Sequence, residues 1–382
     1  MSDVTIGWTT IETLSPETMS VASVGDAPRG FAGWQRVLQR QLAKMPAIYD
    51  GLSTARIAEA MMSARDHAQD VDLRIATRSG PHRMLIKPVF GPGGDVHAIR
   101  IWLGPAAAEV PPMRPAVGAI WDLGTQTFQQ PGGMARLSGM SAEEYAPGTS
   151  VAELFHRMSG FDRHAEMLDL LYDPSGGGKL QFDTTIRSDG ERPGRWRISI
   201  RARDDERSRG AWLLIEEIDT EHTPASWSTL EQVGLREAHR RAGTHLAVLQ
   251  LEYMSISHWL TDPAPWMRWD YLFRPTDVFH PDDRSRLPEL EARLRAGDSA
   301  GVTIRALNYG GGYTPTSLLL YPYPGYSARQ LAIAQLVRVA DDLPVMEPHR
   351  QPPGLVDRGG PIGYDDQLRH RLAGRMKRSA VC

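Results

Sequence analysis

The chain has 382 residues, of which 41% are hydrophobic and 23% charged, and its formal net charge is −3. This composition is that of a globular protein, and the charge balance does not favour nucleic acid or an anionic membrane as a partner. The single cysteine is Cys382, which excludes an internal disulfide and a cysteine-based zinc or iron–sulfur site. The amino terminus lacks the pattern of a signal peptide, and no apolar run approaches the roughly 20 residues of a membrane span, so we expect a cytoplasmic protein.

Three segments carry the same order of predicted elements: two strands, then short helices, then three strands. The segments are 1–104, 117–222 and 244–342. In the middle segment, Trp196, Ile198 and Ile200 alternate with basic residues, which is typical of a strand with one apolar and one basic face. In the last segment, WMRWDYLF is predicted as a helix. The repeated order predicts an α+β protein built from three modules.

Two linkers and a tail separate and follow these segments. Residues 105–116 are rich in proline and alanine and are predicted to be extended. Residues 223–243 are predicted to be a helix, because three apolar residues fall toward one side of it. Those residues are Trp227, Leu230 and Val233. Residues 343–382 are rich in proline and glycine and are predicted to be mostly disordered.

Several stretches resemble the PAS family of sensor domains. ARLSGMSAEEY, which carries a predicted capping box at Ser141 and Glu144, resembles its early helical stretch. TTIRSDGERPGRWRISIRARDDERSRGAWLLIEEIDTEH resembles its hairpin and closing strands. This stretch includes Ile218, Asp219 and Thr220, which resemble the exit from which PAS domains begin a signalling helix. DVFHPDDR is similar to a His-Pro-Asp-Asp turn of the same family.

The whole arrangement resembles an actinobacterial, mycobacterial-type family of sensor-only proteins that combine PAS modules with a GAF module. The resemblance implies three tandem modules, each a central antiparallel sheet flanked by short helices. It also implies signal integration and scaffolding, with the 218–220 exit and the apolar residues of the 223–243 helix as a signal relay. Whether the first or the last module is GAF-like stays open.

His280, Asp282 and Asp283 form the most conspicuous polar cluster. Neighbours at this spacing seldom converge on one metal ion, so no metal site is predicted. Pro281 suits the first helical position, and the two carboxylates fall in the first turn, facing the positive end of the helix dipole. We therefore interpret the cluster as a helix start capped by His280.

Large aromatic residues of the middle segment are the candidates for a ligand pocket. They are Trp121, Phe155, Phe182, Trp196 and Trp212. The alternative, which we favour, is that they fill a solid core. Three arginines form a basic stripe on the other face of their strand. A solvated face is the default interpretation, with an acidic partner or the linker helix as the alternatives. The stripe consists of Arg195, Arg197 and Arg201.

No cofactor is predicted. His156 and His164 lie eight residues apart, and haem bound through one axial histidine is the less favoured alternative to surface histidines. Hydrolase, metalloprotease and kinase signatures are absent from the sequence. The stretch LAIAQLV is apolar at both strand parities, which indicates a sheet covered on both sides by domain packing or by a second copy.

The sequence therefore predicts a non-catalytic sensor or scaffold protein. We expect it to bind a small molecule or a signalling protein and to relay that event to partners, with self-association as a further expectation. Two alternatives stay open: a redox or gas sensor that carries a cofactor, and an enzyme with a site at a module interface.

Overall fold

The computed structural model describes most of the chain up to Val339. The described residues are 7–15, 17–43, 53–77, 80–140, 145–187, 193–205, 208–219, 229–270, 274–324 and 330–339. The capping box predicted at Ser141 and Glu144, and the tail predicted at 343–382, lie outside them. The chain divides into two compact units, Met1–Trp227 and Ser228–Cys382. The first two predicted modules are therefore in one unit and the third is in the other.

The first sheet has six strands, and two helices of the described residues accompany it. The strands are β1 (Thr9–Glu12), β2 (Ser20–Val24), β3 (Ala27–Gly33), β4 (Val71–Thr77), β5 (Gly80–Phe90) and β6 (Val96–Pro105), and the helices are α1 (Trp34–Ala43) and α2 (Thr54–Asp66). Trp34, Leu38 and Leu42 repeat every four residues and form the buried stripe of α1. They pack against Ile57 and Met61 of α2 over the sheet. Strand β3 is not among the two strands predicted before α1. Its residues are mostly exposed and show no alternation of apolar and polar side chains, so no pattern indicates a strand.

The second sheet has seven strands, and its helices are short. The strands are β7 (Ala116–Asp122), β8 (Thr127–Gln129), β9 (Gly148–Ser150), β10 (Met158–Ser159), β11 (Lys179–Ile186), β12 (Gly194–Asp205) and β13 (Ser208–Glu217), and the helices are α3 (Val151–Arg157) and α4 (His164–Tyr172). Ser150 caps α3, since its side chain accepts a hydrogen bond from the amide of Glu153 at 3.1 Å.

The third sheet has five strands and lies in the second unit. The strands are β14 (His245–Gln250), β15 (Ser255–Trp259), β16 (Ala300–Leu307), β17 (Tyr313–Pro322) and β18 (Leu331–Arg338), and the helices are α5 (Leu230–Ala242) and α6 (Glu291–Arg295). The predicted helix WMRWDYLF is wrong over residues 266–270, while 271–273 lie outside the described residues. The amide of Arg268 instead donates to the carbonyl of Leu307 at 2.8 Å, so this stretch runs beside β16.

The three sheets share one strand order. In each segment the first strand lies between the second strand and the last strand. The last strand then pairs with the strand before it in the chain, and that strand pairs with the one before it. These orders are β2-β1-β6-β5-β4, β8-β7-β13-β12-β11 and β15-β14-β18-β17-β16. All pairings between the named strands are antiparallel. The architecture is α+β, with antiparallel sheets and few helices.

The register of β11, β12, β13 and β7 fixes the two faces of the second sheet. Trp196 and Ile198 lie opposite Thr184 and Phe182 on the helical face, and all four side chains are buried. Residues of opposite parity, which begin with Arg197, point to the other face, named the outer face. Among the described residues, no helix is long and apolar enough to cross a membrane.

Candidate functional site

The structure brings together four of the five predicted pocket aromatics, but as a filled core. Trp121, Phe182 and Trp196 share the helical face of the second sheet, and Phe155 joins them from α3. All four are buried. Their ring contacts run through neighbours, because Phe161 lies 4.2 Å from Phe182 and 6.4 Å from Phe155 between ring centroids. These side chains stabilise the second module by their packing.

Two cavities are present elsewhere among the described residues. One of about 20 Å³ lies between α1, α2 and the first sheet, lined by Thr9, Leu38, Ile57 and Met84 among others. One of about 10 Å³ lies beside Met140 in the second module. A single water needs roughly 10–15 Å³, so each has room for about one water in this conformation. Neither cavity is lined by a predicted pocket aromatic.

The two histidines considered for haem lie in different environments. His156 is exposed near the end of α3, whereas the ring of His164 packs against Phe155 at 5.0 Å and Phe161 at 4.6 Å between centroids. Burial lowers the pKa of His164 to about 4. The ring of His164 is thus partly buried against two phenylalanines.

Trp212 lies on the outer face, away from the other four predicted aromatics. It is paired with Ile120 and Arg201, whereas Trp121 is paired with Ala211. Its indole stacks on the imidazole of His97 from the first sheet, with ring centroids 4.4 Å apart and planes at 3°. Its assignment to the predicted pocket is therefore wrong. The strand AWLLIEEID is apolar on both faces, so the sequence does not show which face each side chain takes.

The outer faces of the first two sheets pack against each other, and buried ion pairs connect them. The solvated face expected for the basic stripe is wrong for Arg197 and Arg201. Arg197 donates two hydrogen bonds to Asp183 in its own sheet, at 2.8 and 2.9 Å, and a third to the carbonyl of Asp26 at 2.7 Å. The side chain of Arg197 is buried. One guanidinium thus spans both modules.

Glu12 is the acidic partner of Arg201. Its carboxylate is fully buried and accepts hydrogen bonds from Nε and Nη2 of Arg201 at 3.0 and 2.7 Å. It also accepts hydrogen bonds from the amide of Leu14 at 3.0 Å and from the hydroxyl of Ser20. Four donors therefore replace the water that this charge loses on burial.

In the second ionic cluster the acid, Glu216, comes from the second module and its partners come from the first. Its Oε1 accepts a hydrogen bond from Ser23 at 2.8 Å and lies 3.8 Å from Nη2 of Arg100. Burial lowers the pKa of Arg100, and the charge of Glu216 opposes that shift. Nη1 of Arg100 donates to the carbonyl of Arg114 in the linker. The two ionic clusters therefore cross the interface in opposite senses.

His97 has no charge partner in hydrogen-bond contact. Its Nδ1 lies 2.8 Å from the carbonyl of Leu213, which requires the proton on that nitrogen, and its Nε2 has no hydrogen-bond partner among the described residues. Burial lowers the pKa of His97 to about 4, despite the hydrogen bond to Leu213. A Cβ at Gly91 or Gly118 would lie 2.2 or 2.3 Å from the ring, so both glycines leave space for it.

An apolar cluster lies between the ionic groups. Leu14, Ala22, Val89 and Ala98 of the first module pack with Leu214 of the second, and all five are buried. Apolar contact supplies the main attraction between the sheets. The ion pairs select one relative position of the two sheets, because any other position would leave buried charges unpaired. We name the whole set the sheet–sheet interface, and its charged residues and His97 are Glu12, His97, Arg100, Arg197, Arg201 and Glu216.

The predicted relay residues separate into two groups. Ile218 is buried, its amide donates to the carbonyl of Arg195 at 2.9 Å, and Asp219 accepts a hydrogen bond from Arg114 at 3.0 Å. Thr220 and Trp227 lie outside the described residues. Leu230 and Val233 lie on α5 and are 83% and 51% exposed. The 218–219 exit is therefore joined to the 105–116 linker, whereas the apolar residues of α5 face solvent within their unit.

The His280 cluster is a capped helix start, as predicted. Nδ1 of His280 accepts a hydrogen bond from the amide of Asp282 at 3.2 Å, and Pro281 occupies the first position of a 3-10 helix that spans Pro281–Arg286. The helix is 3-10 rather than α. Asp283 pairs with Arg305, with its carboxylate 2.9 Å from Nε. Its side chain therefore points to the sheet and not to a point shared with His280.

Comparisons with known proteins give one family model for the first module and a solved structure with the same fold. Residues 7–112 match the family model described as Rv3651-like, N-terminal, and this range contains the whole first sheet. A crystal structure of an uncharacterized protein from Mycobacterium tuberculosis matches 88% of this chain and 97% of its own chain, with 17% identity and a TM-score of 0.70. The two chains therefore share a fold. No curated protein sequence matches.

A second solved structure is an RNA-binding light-oxygen-voltage receptor. It matches 59% of this chain and 95% of its own, with 11% identity and a TM-score of 0.22. A likeness at this level carries no argument about fold or partner.

Sequence reasoning missed Glu12, His97, Arg100 and Glu216. The strand VHAIRIWLG did carry a signal, since a histidine and an arginine interrupt an apolar run that is otherwise buried throughout. Buried polar groups need partners, so these two residues pointed to a second layer over the sheet. Their partners come from residues 114 and 213–216, which no local pattern connects to them.

Proposed function

We propose that the chain is a cytoplasmic, non-catalytic sensor or scaffold built from three PAS- or GAF-like modules. The first two modules act as one relay unit, because their sheets are joined face to face. A ligand or protein partner bound on the helical side of one sheet changes its twist, and the sheet–sheet interface carries that change to the other sheet. The partners are a small molecule or a signalling protein, without nucleic acid.

The sheet–sheet interface is the observation that carries this proposal. Glu12 is bonded to Arg201 and Glu216 to Ser23, so a shift of either sheet separates buried charges from their partners. Removing one member of such a pair typically costs about 3–5 kcal/mol. The interface therefore resists independent motion of the two sheets. Two discrete packings, rather than continuous sliding, are the expected response to a ligand.

Three further observations support the proposal. The strand order is the same in all three sheets, as expected of repeated modules. The helical side of the first sheet already contains a small cavity of about 20 Å³ that an outward movement of α1 or α2 enlarges. His97, whose pKa is lowered by burial, is fully enclosed by packing, which favours a structural role over proton transfer to a substrate.

Coupling between the first two modules is tested in the full chain with a core variant. Ile57→Ala removes buried volume next to the cavity of the first module, at an expected cost of about 2–5 kcal/mol. We expect hydrogen exchange to rise in β12 and β13 as well as in the first sheet. Leu336→Ala is the matched control, since it removes a fully buried residue of the third sheet. Exchange changes confined to residues 7–105 in the Ile57 variant would overturn the relay.

Ligand binding is tested by native mass spectrometry of freshly purified full chain. A sensor is expected to show an added mass that disappears on denaturation, or a second protein at fixed stoichiometry. The same spectra report self-association. Protein that carries neither, and whose first two sheets exchange independently, contradicts the proposed function.

A further inference from the structure

Strand β16 ends the third sheet, since in the order β15-β14-β18-β17-β16 it pairs with β17 on one side only. Alternate residues of an antiparallel edge strand turn their amides and carbonyls outward, where another strand can pair with them. In β16 these residues are Gly301, Thr303, Arg305 and Leu307. The strand is eight residues long, which is enough to pair with an added strand.

Three outward carbonyls of β16 have partners at Arg268, His280 and Arg286. The carbonyl of Thr303 accepts from Nη1 of Arg286 at 2.9 Å. The carbonyl of Arg305 accepts from the amide of His280, and that of Leu307 accepts from the amide of Arg268, both at 2.8 Å. Arg268 and the turn 279–286 therefore cover part of the edge where a sixth strand would pair.

Asp283 covers the outward amide at the centre of this edge. Its Oδ2 accepts hydrogen bonds from the amide of Arg305 at 2.8 Å and from Nε of the same residue at 2.9 Å, while Oδ1 accepts from Nη2 at 3.0 Å. One buried carboxylate therefore holds both the backbone and the side chain of Arg305. The hydrogen bonds from Arg305 also lower the pKa of Asp283, so it stays charged at neutral pH.

The opposite side of β16 is consistent with this orientation. Pro315 of β17 lies directly across from Arg305. Proline has no amide hydrogen, so it fits a position whose partner directs its own backbone groups away from β17. Phe279 also forms a bridge to Ala306 and is fully buried, which anchors the turn at the edge.

We propose that the turn His280–Arg286 is a latch that closes the β16 edge against pairing with a strand from another chain. Three groups form the latch: the amide of His280, the carboxylate of Asp283 and the guanidinium of Arg286. The 3-10 helix start at Pro281 aims the carboxylate at the strand. The latch does not depend on whether the modules bind a ligand.

The full chain with Asp283→Ala tests the latch. This variant removes the acceptor of the Arg305 amide, so we expect peptides covering 303–307 to exchange at least about tenfold faster, while β14 and β18 keep their wild-type rates. An open edge pairs with other chains, so the variant is also expected to gain mass with concentration in light scattering. Wild-type exchange at 303–307, or wild-type mass at all concentrations, overturns the latch.

Two variants separate the latch from general stabilisation. Asp282→Ala is the matched control, because Asp282 is 76% exposed and its Oδ2 lies 3.5 Å from Arg305. Arg305→Met removes the ion pair but leaves the carboxylate on the amide. The latch predicts wild-type edge exchange in the Asp282 variant and a smaller rise in the Arg305 variant than in the Asp283 variant. Equal rises in the Asp283 and Arg305 variants, spread over the whole sheet, indicate simple loss of stability and overturn the latch.

Discussion

The imidazole of His97 and the indole of Trp212 stack across two sheets, 4.4 Å apart and nearly parallel. The guanidinium of Arg203 lies 3.9 Å from the centroid of the same indole. Trp212 is thus in ring contact with a neutral histidine of the first module and with a cation of its own module. This stack makes the interface sensitive to the protonation of one residue.

We predict that the first unit loses stability as the pH falls from about 6.5 to about 4. The pKa of His97 is about 4 in the folded chain, against 6.5 for the ordinary residue, because burial disfavours its charged form. Between these values the unfolded chain binds a proton that the folded chain does not, so the stabilisation is complete above pH 6.5 and lost progressively toward pH 4. At 1.36 kcal/mol per pKa unit, His97 alone lowers the free energy of unfolding by about 3 kcal/mol over this range.

Urea unfolding of the full chain, followed by hydrogen exchange of peptides covering β6 and β13, measures this loss. His97→Asn removes the titrating group and is expected to flatten the curve by about that amount. The nearby charges of Asp95 and Arg203 oppose each other on the pKa of His97 and remain in the variant. His164→Asn is expected to flatten the urea curve as well, since burial also lowers the pKa of His164 to about 4, but only His97→Asn is expected to change the pH dependence of exchange at β6 and β13 directly across the interface. An unchanged slope in the His97 variant would contradict this assignment.

Glu12→Ala is expected to destabilise the first unit by about 2–4 kcal/mol, because it leaves the guanidinium of Arg201, whose side chain is 15% exposed, without its charge partner. A double-mutant cycle with Arg201→Met is expected to recover part of this loss and to give a coupling free energy above about 1 kcal/mol. Arg114→Ala is the comparison. Its ion pairs with Asp26 and Asp219 are half-exposed, so about 1 kcal/mol or less is expected.

Gly118→Ala is predicted to separate the stacked rings. Its Cβ would lie 2.3 Å from Cγ of His97, so the imidazole or the strand must move. The expected result is a loss of about 1–3 kcal/mol, the cost typical of overpacking. Gly132→Ala is the control, since nothing lies within 4 Å of a Cβ there. If both variants unfold at the same urea concentration, His97 is not held as tightly as described.

The amino-terminal end of α5 is predicted to depend on its capping box. Thr229 Oγ1 accepts from the amide of Gln232 at 3.2 Å, and the Gln232 side chain accepts from the amide of Thr229 at 3.1 Å. Thr229→Ala is expected to cost about 1 kcal/mol, seen as faster exchange in the first turns of α5. Leu230→Ala, at an 83% exposed position, is expected to change stability by less than about 0.5 kcal/mol. Equal effects of the two variants would contradict the cap.

Local patterns predicted what is local in this fold. The alternation of Trp196, Ile198 and Ile200 identified the buried face of β12, and all three are fully buried. The proline after His280 and the acids that follow it identified a helix start. Each of these features is determined by neighbours within a few residues, which a sequence displays directly.

The remaining features depend on contacts between distant parts of the chain. The basic face of β12 was correctly placed opposite its apolar face, but what covers it could not be known, because Glu12 is 189 residues away from Arg201. The helix predicted over WMRWDYLF is wrong over residues 266–270, again because a distant contact decides the local structure. The amide of Arg268 pairs with Leu307, and that contact overrides local propensity.

The opposed polarity of the two ionic clusters restricts how this protein can be rearranged in evolution. Because each module supplies one acid and one base to these pairs, exchange of either module for one without these groups leaves an unmatched charge of each sign. A recombination joint within residues 106–115 therefore yields a chain that carries two defects rather than one. We therefore expect substitutions at 12 and 201, or at 100 and 216, to be tolerated as pairs rather than singly.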